Sequence, residues 1–321
     1  MGLNAFQGMK PFPQLLFSTF IVLVSFFFIL LLAMVVGIPI FGFDSIKSLP
    51  MISELEDPAG MRVLKYFQVV QSIGLFIIPP LLIARLFHGH IASYLFLHKR
   101  TSSRSILLAT FLIIFSLPLV NFIAMWNAQM ELPGWMSGME NWMKNAEENA
   151  ARLTEAFLNV ETIGGLLFNL FMIALLPAIG EEFLFRGVIQ RIFTNWTRNY
   201  HWGIWISAIL FSALHLQFYG FVPRLLLGVL FGYLLVWSGS MWLPVTAHFL
   251  NNGLAVVAMF LIDKNQLDPG LEEIGSTSGS YYLAVISLAV TLLFLWQIKK
   301  ENTKDGQAYL ESMDNPARLH F

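Results

Sequence analysis

The amino-acid sequence predicts an all-α protein: a polytopic transmembrane helical bundle of about eight membrane helices, plus one amphipathic extracytoplasmic helix. Three observations predict it. Of the 321 residues, 56% are hydrophobic and 12% charged, against roughly 25% charge in a soluble domain, and mean hydropathy is +0.66. The apolar residues fall in runs that approach the roughly 20 residues a helix needs to cross a bilayer. The loops between the runs alternate in sign.

The first run, about 14–41, is too long for the apolar part of a signal peptide and has no small-residue cleavage site, so it reads as a retained span. Further runs cover about 64–87, 106–127, 162–180, 203–217, 222–238, 241–262 and 280–297; those at 203–217 and 222–238 are short. The loop after the first run carries Asp44, Glu54, Glu56 and Asp57 against Lys47 and Arg62. The next carries Arg85, Lys99, Arg100 and Arg104 and no acid. The third carries Glu131, Glu140, Glu147, Glu148, Glu155 and Glu161 against Lys144 and Arg152. Basic Arg186, Arg191 and Arg198 follow. Then come acidic Asp263, Asp268, Glu272 and Glu273 against Lys264, and finally Lys299, Lys300 and Lys304. Basic loops face the cytoplasm. This expects a multi-pass cell-membrane protein with both termini cytoplasmic and the Glu181–Arg186 stretch at a cytoplasmic helix end.

Between the third and fourth runs, Met139, Trp142, Met143, Ala146, Ala150, Leu153, Phe157 and Val160 recur at helical spacing. They mark an amphipathic helix on the outer side, lying on the membrane or capping the bundle. Packing is the simpler role for its Met and Trp; a substrate-gating lid is the other. Gly228 and Gly232 form a GxxxG pattern that lets helices approach closely in lipid, and Arg224 beside it is expected to snorkel or to pair with an acid. The tail 299–321 reads as polar and mobile.

Composition excludes several functions. A net charge of −1 gives no field to recruit nucleic acid. The absence of cysteine excludes disulfides, thiolate catalysis, Cys-ligated metals and a lipidated C-terminal cysteine. The partner that composition itself implies is the membrane lipid.

Polar groups inside apolar runs cluster in the C-terminal half. Glu181, Glu182 and Arg186 close the fourth run, in AIGEEFLFRGVIQR. Ionisable groups at bilayer depth are costly and face a partner or a wet cavity. Glu182 and Arg186 share a helix face and can neutralise each other, whereas Glu181 points about 100° away. His215 lies one turn after Phe211 in FSALH, and His248 and Asn252 share a face in HFLNN, with Asn251 on another. Taken singly, each histidine reads most simply as a satisfied core residue, and the ion pair as a structural pin. Taken together, the set is what a hydrated site cut into a bundle would contain.

The chemistry that suits the set is hydrolysis. A carboxylate and an imidazole can hold and deprotonate water, and a His and an Asn on one face can donate to an oxyanion. A zinc-dependent version would draw on Glu181, His215 and His248 as ligands, although no HExxH is present. Ser212 adjoins the site without a Ser–His–Asp arrangement. Two non-hydrolytic readings also stand: a non-catalytic scaffold or immunity protein, and an ion-coupled transporter, which would show inverted repeats.

The three motifs, Glu181-Glu182-x-x-x-Arg186, Phe211-x-x-x-His215 and His248-x-x-x-Asn252, resemble in order those of the CPBP intramembrane protease family. That family includes the type II CAAX prenyl endopeptidases and the Abi-like proteins of bacteriocin processing and self-immunity. The resemblance covers about residues 163–262. It implies that Glu181 and His215 activate water, that His248 and Asn252 stabilise the oxyanion, and that Glu182 and Arg186 hold the site. It also implies that no cofactor is required, zinc being the alternative, and that the substrate is a peptide or protein; it does not fix which one, membrane-embedded and prenylated clients both being open. The expected organisation is then 1–161, N-terminal membrane helices and amphipathic helix; 162–262, catalytic core; 263–298, final membrane helix; and 299–321, cytoplasmic tail.

Overall fold

The computed structural model describes residue 6 and residues 8–47 and 57–314. Glu54 and Glu56 of the first acidic loop lie outside the described residues, as does the end of the tail from 315. Ten principal helices follow: α1 (Pro11–Phe41), α2 (Pro58–His88), α3 (Ser103–Ala128), α4 (Ser137–Leu158), α5 (Ile163–Thr197), α6 (Tyr200–Leu214), α7 (Phe221–Ser238), α8 (Trp242–Asp263), α9 (Tyr281–Glu301) and α10 (Thr303–Asp314). No strand occurs among the described residues, as a lipid setting requires of a chain that does not close a barrel.

Among the described residues seven spans are long and apolar enough to cross a membrane: α1, α2, α3, α5, α8, α9 and the stretch Phe218–Ser238 that contains α7. The segment expected at 203–217 is the shorter α6 of 15 residues.

Local signals set the helix ends. Asp57 caps α2 by accepting the N–H groups of Ala59 and Gly60, and those two bonds hold its carboxyl below the ordinary carboxylate range. Ser102 and Thr162 cap α3 and α5 in the same way. Helices α2 and α7 stop at Gly89 and Gly239, with φ of 85° and 59°, a left-handed conformation that only glycine adopts freely.

Helix α5 runs on to Thr197. The sequence reading ended this span near residue 180, with Glu181 and Arg186 at its cytoplasmic end. The structure instead puts Glu181 near the middle of the helix. The apolar window closes at the charges, but the helix does not. Glu182 and Arg186 neutralise each other and the apolar FLF and GVI on either side of Arg186 carry the helix on. Two π-helical stretches, Leu170–Leu175 and Phe183–Ile189, flank the carboxylates. Such widened turns shift the phase of side chains around a helix and recur at functional sites.

The neighbours of α5 place the site. Helix α6 returns antiparallel to its second half, and α7 packs on α6. A Cβ at Gly228 would lie 3.1 Å from that of Ala208, and one at Gly232 would lie 2.8 Å from Ile204 and from the Gln190 amide oxygen. The GxxxG pair therefore lets three helices meet, as expected. Helix α8 lies against the first half of α5, while α9 pairs with α3 at the opposite side of α8. The tail is not simply mobile: α10 packs on α7 and buries Tyr309 to 2% exposure.

Candidate active site

Four of the singled-out groups converge. Glu182 is wholly buried and Arg186 is 1% exposed, with Glu182 Oε1 3.0 Å from Arg186 Nη1. The same Oε1 accepts from Nδ1 of His248 at 2.8 Å. Nε2 of His248 lies 3.8 Å from Glu181 Oε2. His248, which α8 brings up against α5, thus stands between the two carboxylates of α5. The sequence reading joined Glu182 only to Arg186 and left Glu181 without a partner.

Aromatic rings fix this cluster. The Arg186 guanidinium lies 4.7 Å from the Phe211 ring centroid and 5.5 Å from that of Phe231, and Nη2 donates to the Gly228 carbonyl at 3.1 Å. Phe231 stacks on His248 with centroids 5.0 Å apart. Phe211 packs edge-on against His215 at 4.9 Å, as expected. Phe231 was not singled out in the sequence; its only signal is its place on the GxxxG helix, three residues after Gly228.

His215 sits at the C-terminal end of α6, and its Nδ1 donates to the Phe211 carbonyl at 2.7 Å. That bond leaves Nε2 as the acceptor in the neutral ring. His215 does not come within 4 Å of Glu181 as an ion pair; the two share a cavity. Asn252 donates to the carbonyl of Ile173 at 3.2 Å and accepts from Asn251 at 3.1 Å. Pro177, four residues beyond Ile173, has no N–H to give that carbonyl, so a helix-breaking residue prepares the contact that orients Asn252. Asn251, which ideal spacing placed on another face, lines the same cavity. Ser212 donates to the Phe221 carbonyl, a structural bond.

The cavity measures about 730 Å³ and is bounded by Glu181, His215, His248, Asn251, Asn252 and Arg224 together with apolar side chains. One wall is α4, through Ala150, Leu153, Thr154, Phe157 and Leu158. The amphipathic helix is therefore part of the site, while Met139 and Trp142 near its start stay about half exposed. A buried knot ties α4 down: Lys65 donates to the Phe157 carbonyl at 3.0 Å and to Asn169 at 3.3 Å, and Asn169 donates to the same carbonyl.

Residues 163–254 match the family model described as type II CAAX prenyl endopeptidase Rce1-like. The resemblance carried by the three motifs is thereby shown over this segment, which contains Glu181, Glu182, Arg186, Phe211, His215, His248 and Asn252. An uncharacterised protein of Bacillus subtilis (strain 168), YpbD, is 33% identical over 86 residues. That alignment takes in 26% of this chain and 41% of YpbD, so the chain spans less than half of that relative. No solved structure matches the chain.

The Rce1-like segment does not offer a ready metal centre. Among the described residues no three His, Asp or Glu side chains converge as ligands. Nδ1 of His248 bonds Glu182 and Nδ1 of His215 bonds a carbonyl, as the second nitrogen of a metal-ligating histidine also would, but Glu181, His215 and His248 line one cavity without forming such a group. The zinc alternative therefore has no preformed ligand set among the described residues.

Proposed function

We propose that the chain is a CAAX-type intramembrane endopeptidase that hydrolyses a peptide bond of a membrane-associated peptide or protein, prenylated or not. One observation carries the reading: a carboxylate, Glu181, opens into a cavity shared with His215, His248 and Asn252, within the segment that matches the Rce1-like family.

Glu181 takes a proton from water, and the hydroxide attacks the scissile carbonyl. His215, with Nδ1 held by a carbonyl, offers Nε2 as the second acceptor for that water. The amide hydrogen of Asn252 not given to Ile173 donates to the developing oxyanion. Nε2 of His248 joins it when both ring nitrogens carry protons. Glu181 then returns its proton to the leaving amine. Glu182 and Arg186 touch neither water nor substrate; they fix His248.

Replacing Glu181 with Gln in purified protein is expected to lower peptide turnover by about 10²–10⁴-fold while the melting temperature holds. Undiminished turnover would remove Glu181 as the base. Exhaustive chelation is expected to leave activity intact.

The cavity side is open to direct measurement. Its α4 wall belongs to the acidic-loop end of the bundle; with acidic loops outside the cavity is entered from the outer side, whereas a cytoplasmic Glu181–Arg186 helix end would give cleavage near the cytoplasmic leaflet. The chain contains no cysteine, so a single Leu153→Cys variant in intact cells should react with a membrane-impermeant maleimide. Protection there, with labelling only after the membrane is opened, would reverse the orientation.

A further inference from the structure

Arg224 is the one cavity residue whose charge the hydrolytic mechanism leaves unused. It stands on the first turn of α7, and its guanidinium is held by a single residue. Nη1 donates to the Gln217 carbonyl at 3.3 Å and Nη2 to the Gln217 side-chain oxygen at 2.6 Å. Gly220 leaves room for it, since a Cβ there would come within 3.3 Å of Nη2. The acids whose field reaches it are Glu147 and Glu181. Neither lies within 4 Å, and among the described residues no carboxylate does. Glu147 is itself engaged, accepting the N–H of Tyr219 at 3.2 Å. Of the two roles expected of Arg224, snorkelling or pairing with an acid of this chain, the ion pair is not formed among the described residues.

A guanidinium has five donors in a fixed plane, matched to a carboxylate's two oxygens. Here one residue accepts two of them, which orients the plane and leaves capacity on the others. The cavity is walled largely by apolar side chains, where a charge-assisted bidentate contact is strong. Its lining carries groups of both signs, the Glu181 carboxylate and the Arg224 guanidinium, which do not pair with each other within 4 Å. A peptide carrying a carboxylate is thus drawn in one direction, with the carboxylate at Arg224 and the backbone carbonyls toward Glu181.

We propose that Arg224 anchors a carboxylate of the peptide that occupies the cavity, either its C-terminal carboxylate or an acidic side chain, and so selects the bond presented to Glu181. The proposal rests on the peptidase reading for the occupant being a peptide. Arg224 is a specificity-determining residue and makes no contact with the reacting bond.

The test uses full-length protein in detergent carrying Glu181→Gln, so that binding is read without turnover. Three probes are compared by fluorescence anisotropy: a fluorescein-labelled apolar hexapeptide with a free C-terminal carboxylate, its carboxamide, and the carboxamide with one internal Asp. A carboxylate-bearing probe is expected to bind at least tenfold tighter than the plain carboxamide. Adding Arg224→Gln should erase the difference, and Arg224→Lys should restore only part of it, with melting temperatures showing that both variants fold. If only the terminal acid is preferred, the anchor reads chain ends; if only the Asp peptide is, it reads a side chain. Equal binding of all three probes, or a preference that survives Arg224→Gln, overturns the proposal. Should neither Arg224 variant fold, Gln217→Ala, which frees the guanidinium without removing it, must weaken the preference or the proposal falls. In the wild type, cleavage of acid and amide at equal kcat/KM sinks the anchor and leaves the peptidase reading. An acid preference in a protein that never cleaves sinks the peptidase reading and leaves the anchor. Failure of all probes to bind overturns both.

Discussion

Helix α5 carries two buried arginines five residues apart, and they are held in opposite ways. Arg186 meets a carboxylate: Glu182 lies 3.0 Å away and passes its other contact to His248. Arg191 meets no carboxylate within 4 Å among the described residues. Its Nη1 donates to the Tyr94 carbonyl at 2.6 Å, and its guanidinium faces the rings of Tyr94 and Phe96 at 4.3 and 5.0 Å. Around Arg191 a neutral acceptor and ring quadrupoles disperse the charge, and Tyr309 of α10 closes the pocket, its field reaching the guanidinium. Around Arg186 the charge is answered by another charge, which in turn holds an imidazole. The first region is a joint between elements and the second is a tuned site, although residue type and burial are the same.

The comparison breaks most visibly on removal of each cation. Arg186→Met strands the wholly buried Glu182 carboxylate without its cation, and removing one partner of a buried pair costs about 3–5 kcal/mol. Thermal unfolding in detergent should show that loss together with collapse of peptide turnover. Arg191→Met leaves no buried anion. It forfeits one charge-assisted hydrogen bond and the ring contacts, about 1–3 kcal/mol, and turnover per folded molecule should persist. Equal losses from the two variants would erase the distinction. A deficit in turnover for Arg191→Met beyond its deficit in folded protein would make the joint part of the site.

The difference between these regions also explains what the sequence could reveal. The bundle was legible because lipid imposes long apolar helices, and the acidic and basic loops marked their ends. Glu181, Glu182, Arg186, His215, His248 and Asn252 stood out because polar groups in apolar runs are costly. What stayed hidden depends on where helices cross. That His248 bridges both glutamates follows from the packing of α8 on α5. Asn252 is oriented by the carbonyl of Ile173, whose donor Pro177 removes, and the π-helical stretches that rotate neighbouring side chains have no hydropathy signature. The span boundary at residue 180 was misplaced because a hydropathy window counts Glu182 and Arg186 as two charges, whereas the helix carries them as one neutral pair. Arg191 and Tyr309 escaped notice for a related reason. A cation held by rings and a carbonyl leaves no acidic partner to be found by spacing, and a polar tail gives no hint that one of its tyrosines is buried.

The smallest expected effect tests the joint through Tyr309. Burial pushes its hydroxyl up to about 12, against the pull of the Arg191 charge and of the neighbouring Gln190 amide. An unfolded tyrosine ionises near 10. Between those values the folded protein holds a proton that the unfolded chain has released, so raising the pH favours unfolding there. The stabilisation is present in full below about pH 10 and is lost as pH climbs toward 12. Tyr309→Phe removes the titrating group and keeps the ring against Phe96, whose centroid lies 4.7 Å away. The variant should therefore stay within about 1 kcal/mol of the wild type at neutral pH, the usual worth of a single polar contact, and should show a shallower fall in melting temperature than the wild type between pH 10 and 12. Parallel melting curves across that range would mean that Tyr309 ionises as freely in the folded protein as outside it. In that case α10 would rest on the bundle without being locked to it, and Arg191 would be a joint with nothing on its far side.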